Sequence, residues 1–271
     1  MRLPEEIDAF LRSHGLKLNT NLGQHFLTDE EVLATIIESA GIVEDDDILE
    51  IGPGIGVLTR ELLKHARTVT AIELDHRLIP LLELFTKGIR HDRPDVLRII
   101  EGNALAVGFP STPYKIVANI PYHITSPLLR HAFLESSVRP KSLTLLIQRE
   151  VAQKICDTEN AGMLTILVAL FGTPIFIRRV PPACFLPPPA VDSAVLHIES
   201  HAEPLADSAT IERIFRLTKL AFGQKRKMLR NSLGKQPGGM ELLAKIGIEA
   251  QRRPETITIQ EWIALAKTFQ D

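Results

Sequence analysis

The tightest constraint on the fold lies at residues 47–56. Asp47-Ile48-Leu49-Glu50-Ile51 reads as a short buried strand that runs into Gly52-Pro53-Gly54-Ile55-Gly56. Val57, Leu58, Leu62 and Leu63 then recur at helical spacing. A strand, a glycine-rich turn and a helix in this order open a doubly wound α/β domain, and the glycines let the backbone approach a ligand. The alternation continues. Strands are expected over residues 67–72, 96–100, 115–118 and 143–147, so the sheet should be mainly parallel with helices on both faces. Residues 175–180 and 191–198 are β-rich with no helix between them, which predicts an antiparallel pair at one edge and seven strands in all. After about residue 200 the pattern changes to short helices, at 211–222, 225–233, 240–246 and 260–269. The expected division is an α/β domain over 1–202 and a small helical domain over 203–271. A short helix is expected from Pro4 to Arg12. Thr28 with Glu31 reads as a capping box for a further helix that stops at Gly41.

Composition excludes several classes. An apolar content of 45% supports a real core, and a net charge of −2 announces no polyanionic partner by itself. Any nucleic-acid surface must therefore be a local basic cluster. The two cysteines, Cys156 and Cys184, have no metal-ligand spacing, so no metal is expected and free thiols in a reducing compartment are. The first residues lack a basic segment followed by an apolar one, and the apolar stretch 161–171 is too short to span a bilayer. A cytoplasmic protein without membrane contact is the expectation.

Ligands of open α/β sheets sit at the carboxyl ends of the strands. Glu73 ends the second strand, about 20 residues beyond Gly52, where an acid accepts hydrogen bonds from ribose hydroxyls. The spacing Gly52, Gly54, Gly56 puts the third glycine one residue too early for a pyrophosphate loop. On its own, this pattern is equally a tight turn with a solvated acid. Asn103 stands at the third strand end, where its side-chain oxygen can accept from an adenine amino group while the Ala104 N–H serves a ring nitrogen. Asn103 is equally a turn residue. Asn119 stands at the fourth strand end and leads into Ile120-Pro121-Tyr122.

With those residues in view, the chain resembles a known family over nearly its whole length. Leu22-Gly23-Gln24-His25-Phe26-Leu27, Glu50-Ile51-Gly52-Pro53-Gly54, Ile72-Glu73-Leu74-Asp75 and Asn119-Ile120-Pro121-Tyr122 occur in order. Phe185-Leu186-Pro187-Pro188-Pro189-Ala190-Val191-Asp192-Ser193-Ala194-Val195, Phe222-Gly223-Gln224-Lys225-Arg226-Lys227 and Arg230-Asn231-Ser232-Leu233 follow. This is similar to the small-subunit ribosomal RNA adenine N6-dimethyltransferases, the kasugamycin-sensitivity enzymes. The resemblance implies a Rossmann-like methyltransferase sheet with a C-terminal helical domain. It implies S-adenosylmethionine as donor and S-adenosylhomocysteine as product. It also implies two adjacent adenosines in the 3′-terminal hairpin loop of small-subunit rRNA as targets, in an immature ribosomal subunit, for a chain acting as a monomer. Carried over by position, the donor contacts fall on His25, Leu27, Gly52, Glu73, Asn103 and Asn119, with Gly54 and Ala104 beside them. His25 stands where asparagine is frequent, and Asn103 stands where aspartate is usual. An amide oxygen accepts more weakly than a carboxylate.

Adenine N6 is a poor nucleophile because its lone pair is delocalised into the ring. Two acceptors that hold its N–H groups would aim that lone pair at the donor carbon. The expected pair is the Asn119 side-chain oxygen and the Ile120 carbonyl, with Pro121 restricting the corner and Tyr122 stacking on the base. Phe185 is the expected second stacking face. Lys225, Arg226, Lys227 and Arg230 form a basic cluster that, with the resemblance, reads as an RNA surface. The alternatives are a large-subunit rRNA adenine methyltransferase, a non-catalytic ribosome-assembly or RNA-binding relative and, remotely, a nicotinamide oxidoreductase. If the basic cluster serves RNA alone, charge reversal at Arg226 and Lys227 weakens RNA binding while donor affinity, measured by calorimetry, is unchanged.

Overall fold

The computed structural model describes residues 2–16, 18, 23–89, 95–223 and 227–269. The chain forms two compact units, one of residues 1–152 and 175–200 and one of residues 153–174 and 201–271. The later boundary falls within two residues of the division expected at 202/203. Residues 153–174 group with the second unit although they precede that division.

The first unit opens with α1 (Leu3–Ser13), whose buried Leu3, Ile7 and Leu11 recur every four residues and make it amphipathic. Strand β1 (Phe26–Leu27) and helix α2 (Glu30–Ala40) follow. The cap of α2 is Asp29, whose Oδ1 accepts from the Val32 N–H at 3.0 Å. The expected Thr28 capping box does not form, because the Thr28 backbone N–H and hydroxyl both donate to the Cys184 carbonyl, at 2.8 and 3.1 Å. Gly41 does end the helix, in the left-handed conformation.

The main sheet comprises β2 (Asp47–Ile51), β3 (Thr68–Glu73), β4 (Leu97–Glu101), β5 (Lys115–Asn119), β6 (Ser142–Gln148), β7 (Gly172–Val180) and β9 (Ser193–Ser200). Helices α3 (Val57–His65), α4 (Ile79–Thr86) and α5 (Thr125–Arg130) lie between strands in sequence. The strand order is β4-β3-β2-β5-β6-β9-β7. The pairings among β4, β3, β2, β5 and β6 are parallel, and β9 runs antiparallel to β6. The seven strands and the antiparallel element expected from the sequence are present. The order reverses between β2 and β5, which places the carboxyl ends of β2, β3, β4 and β5 around the switch point where such sheets bind ligands.

A second, two-stranded sheet pairs β1 with β8 (Phe185–Leu186), with Phe26 opposite Leu186 and Leu27 opposite Phe185. Phe185 is 3% exposed and belongs to the cluster that holds Phe26, Leu27 and Val195. This corrects the expectation that Phe185 offers a face to a base. Its ring is core, held there by the register of a strand pair that brings distant segments together.

The second unit contains α7 (Met163–Phe171), α8 (Ser208–Phe222), α9 (Gly239–Lys245) and α10 (Ile259–Thr268), and α6 (Arg149–Cys156) leads into it. Trp262 is fully buried beside Phe222. The helix expected over 225–233 is absent from its described part, which forms short 3-10 turns at Leu229–Asn231 and Leu233–Lys235. The Leu229 and Arg230 N–H groups donate to the Arg252 and Ala250 carbonyls, so the backbone bonds across to another segment instead of along a helix.

Because Phe185 fills core volume, Phe185→Ala should destabilise the protein by roughly 3–5 kcal/mol, as buried aromatic truncations do. Phe185→Leu should cost far less. Urea unfolding of the two variants measures the difference.

Candidate donor and base site

The switch point forms a cleft whose lining includes Gly52, Gly54, Glu73, Leu74, Asn103 and Ala104 together with His25, Leu27 and Asn119. All the donor residues expected from the sequence therefore meet at one place. Gly54 adopts φ +62°, and a Cβ there would lie 2.5 Å from the Phe26 ring. Only glycine lets this turn pass beneath β1.

Glu73 ends β3 with its carboxyl group held by the backbone. Its Oε2 takes the Gly54 N–H at 3.0 Å and its Oε1 takes the Asp75 N–H at 2.9 Å. The two bonds fix the carboxylate and leave further lone pairs free for a ribose diol. Burial raises the Glu73 pKa, and the backbone donors oppose that rise. Leu74, 60% exposed, adds an apolar side chain to the cleft lining beside it. Asn103 Oδ1 accepts the Leu105 N–H at 3.0 Å, an intraloop bond that orients the amide at the cleft. The Gly52 N–H is committed to the Ile72 carbonyl at 2.9 Å, so this glycine serves by lacking a side chain, not as a donor. A fixed acceptor for a diol, an apolar wall and an amide at the strand ends fit an adenosyl group.

Three carboxyl groups at the cleft differ in state. Asp75 is held well below the usual carboxylate range by the Arg77 guanidinium, with Gln24 Nε2 donating to it at 2.9 Å. Glu50, 1% exposed, is pushed up to about 8 by burial, against the opposing Thr59 hydroxyl bond at 2.6 Å and with a further push from the Glu73 charge. Sequence reading overlooked Glu50, Gln24 and Asp75 as a group, although an acid two residues before Gly52 was visible.

Asn119 ends β5 in the middle of the sheet. Its Nδ2 donates to the His25 carbonyl at 3.0 Å, which settles which way the amide faces: the oxygen cannot point at another acceptor. Asn119 lines the donor cleft and also a second cavity of about 310 Å³. That cavity is bordered by His25, Ile120, Tyr122, His123 and Gln148 as well. Pro121 has φ −56° and ψ 130° and leads into a 3-10 turn at Tyr122–Ile124. Gly23, at φ +74°, closes over Pro121, where a Cβ would come within 2.8 Å of the ring. The Tyr122 hydroxyl shares a hydrogen bond of 2.5 Å with buried Ser193, which fixes the ring, and burial raises the Tyr122 pKa. Asn119, Ile120, Pro121 and Tyr122 are thus together, and Phe185 is not among them. Ser193 and Gln148, opposite each other in the β6–β9 register, were not singled out in the sequence. The Asp192-Ser193 step after the proline run was the one available signal.

Of the basic cluster, Lys225 and Arg226 lie outside the described residues. Lys227 and Arg230 are exposed, and neither has a carboxylate at ion-pair distance among the described residues.

Residues 15–271 match the sequence model of the family described as ribosomal RNA adenine dimethylase. A protein of Dehalococcoides mccartyi named ribosomal RNA small subunit methyltransferase A is 38% identical over 98% of this chain and 94% of its own length. A protein of the same name from Novosphingobium aromaticivorans is 40% identical over 94% of each. Among solved structures, the 23S rRNA methyltransferase ErmE superposes with a TM-score of 0.74 at 29% identity, covering 90% of this chain and 98% of that one. A dimethyladenosine transferase from Plasmodium falciparum gives 0.76 at 25% identity, covering 89% and 96%.

Glu50 is protonated when folded at neutral pH and ionised when unfolded. Its contribution to stability is full below its ordinary value of 4.5 and is lost as pH rises toward about 8. The loss is roughly 1.4 kcal/mol per pH unit within that window. Glu50→Gln keeps the bond from Thr59 and removes the titration. Urea melts should show the variant gaining on the wild type from pH 5 to pH 8 and no further above it.

Proposed function

Because the chain belongs to the ribosomal RNA adenine dimethylase family, and so is an S-adenosylmethionine-dependent methyltransferase acting on rRNA adenine, we propose a finer assignment. Its targets are two adjacent adenosines in the 3′-terminal hairpin loop of small-subunit rRNA. Each becomes N6,N6-dimethyladenosine while the subunit is immature, and the enzyme works as a monomer. The relatives at 38% and 40% identity carry the small-subunit name, whereas the large-subunit enzyme matches at 29%, and this favours the small subunit.

The observation that carries the reading is the Asn119 amide, pinned through its nitrogen at the junction of two cavities. When bound, S-adenosylmethionine supplies an electrophilic methyl on a sulfonium and leaves as S-adenosylhomocysteine. The Glu73 carboxylate and Leu74 hold the adenosyl end. Asn119 Oδ1 accepts one N–H of the target amine, and the Ile120 carbonyl accepts the second. With both N–H groups held, the nitrogen lone pair faces the donor carbon. Tyr122 supports the extruded base from one face. A bound donor would pass its methyl to the nitrogen held by Asn119 and Ile120, with its carbon–sulfur bond broken in the transfer. The N–H has become acidic, and its proton passes to water, so no dedicated base is needed. Placement of the two reactants is the main source of acceleration. Lys227 and Arg230, with Lys225 and Arg226, meet RNA phosphates.

Labelled-methyl transfer to small subunits that lack the modification tests this. Wild type should label both adenosines. Asn119→Ala should lower kcat by about 100-fold or more, the usual scale for removing one such electrostatic contact. A wild-type enzyme that binds donor and subunit yet leaves both adenosines unmodified would refute the assignment.

A further inference from the structure

The last strands of the first unit bring two guanidinium groups onto one carboxylate. Strand β9 lies between β6 and β7 in the sheet, and Asp192 stands directly before it. Arg149 follows the end of β6, and Arg179 is the next-to-last residue of β7. The Asp192 carboxylate accepts from Arg179 Nε at 2.9 Å and Nη2 at 3.1 Å, and Arg149 Nη1 lies 3.1 Å from the same group. The Arg149 backbone N–H also donates to the Asp192 carbonyl, at 3.0 Å. The Arg179 bonds, helped by the Arg149 charge, hold the Asp192 carboxyl below its ordinary value. One negative charge therefore faces two permanent positive ones. Arg67 and Arg178, by contrast, each pair with an acid of their own, Asp47 and Glu31. Asp46 does meet two cations, Lys115 and Lys141, but it is buried, and Lys115 opens β5 at the end remote from Asn119.

The arrangement is tied to the cavity beside Asn119. Gln148 lines that cavity and is joined to Arg149 in the chain. Ser193 is joined to Asp192, and its hydroxyl shares a bond with Tyr122, another lining residue. Gln148 and Ser193 are opposite each other in the β6–β9 register. Consecutive Cα atoms are about 3.8 Å apart, so the charged groups start one residue beyond these positions. A nucleotide whose base enters the cavity keeps its phosphodiester outside it. The Arg149 and Arg179 side chains are 42% and 59% exposed, and each keeps N–H groups that Asp192 does not use. Paired guanidinium N–H groups match phosphate oxygens. Exposed ion pairs add little to stability, so folding alone does not account for the arrangement. We infer that Arg149 and Arg179, set in place by Asp192, form a clamp for the RNA phosphodiester next to the target adenosine. This rests on the adenine-methylating reading of the Asn119 corner. Phosphate contacts fix register without reading sequence, so the clamp positions the target nucleotide and does not select it.

The test measures binding of the full-length enzyme to unmodified small ribosomal subunits, with S-adenosylhomocysteine present, from about 50 to about 300 mM salt. Steady-state methylation runs alongside. Each lost phosphate contact lowers the slope of log affinity against log salt by about 0.7–0.9 and weakens binding by roughly 5- to 8-fold near 0.1 M. Arg149→Ala and Arg179→Ala should each show both changes. Each should raise KM for the subunit by a similar factor, with kcat altered less than about twofold. Arg149→Lys and Arg179→Lys keep the charge without the fork, and should restore the slope with part of the affinity. Arg67→Ala removes an equal charge from an exposed ion pair at the amino end of β3, and should leave slope and KM unchanged. The clamp is refuted if the alanine variants at 149 and 179 keep the wild-type slope. It is equally refuted if they lower kcat and melting temperature with KM unmoved, the mark of a structural brace, or if Arg67→Ala shifts the slope as much. A wild type that binds subunits and methylates no adenine would instead refute the underlying function.

Discussion

One hydrogen bond sets the geometry of the site. The Asn119 amide donates to the backbone of His25, a residue 94 positions earlier in the chain. A free asparagine at a strand end would rotate and could present either its nitrogen or its oxygen. Here the nitrogen is committed, so the oxygen is the group left to act. The bond depends on the segment before α2 lying across the top of β5. That approach is close enough to exclude a side chain at Gly23 over Pro121, and the β1–β8 pairing anchors the segment from its other end. Packing at the sheet top and polarity at the site are thus one arrangement.

The cleft also separates three acids by environment. Glu50, Glu73 and Asp75 lie within a short stretch of two neighbouring strands, and three adjacent negative charges in a buried place would be costly. The fold avoids this by giving each a different partner. A guanidinium keeps Asp75 charged, backbone N–H groups support Glu73, and burial keeps Glu50 in its neutral form. At Glu73 the backbone donors offset part of the burial that raises its pKa.

Much of this was legible in the sequence. Strands β2, β3, β5 and β6 are apolar runs that end in Ile51, Glu73, Asn119 and Gln148, and periodicity finds such runs because both faces are buried. Glu73, Asn103 and Asn119 were picked out by their place at strand ends, whereas His25 and Leu27 came from the resemblance alone, and the cleft brings all five together. Phe185 was misread because an aromatic beside prolines fits either a core or a ligand face, and only the register with Leu27 decides. A two-residue strand has no period to detect. In the described part of the expected 225–233 helix, hydrogen bonds to Ala250 and Arg252 outweigh local preference. The sharing of Asp192 by Arg149 and Arg179 has no signature at all, since the strand order brings their segments together.

The chain passes between its two units at 152/153, 174/175 and 200/201. Residues 153–174 therefore bring α7, with its buried Ile166, Leu167, Val168, Leu170 and Phe171, before the last strands of the large sheet are made. On the ribosome, α7 emerges before most of the helices of its own unit exist, and the sheet must wait for β9 to follow it. A gene cut after residue 202 would yield a complete sheet tethered to an oily helix with nothing to cover it. The two units are interleaved along the sequence, so they are not separable as polypeptides, and evolution cannot exchange one of them by a single recombination event.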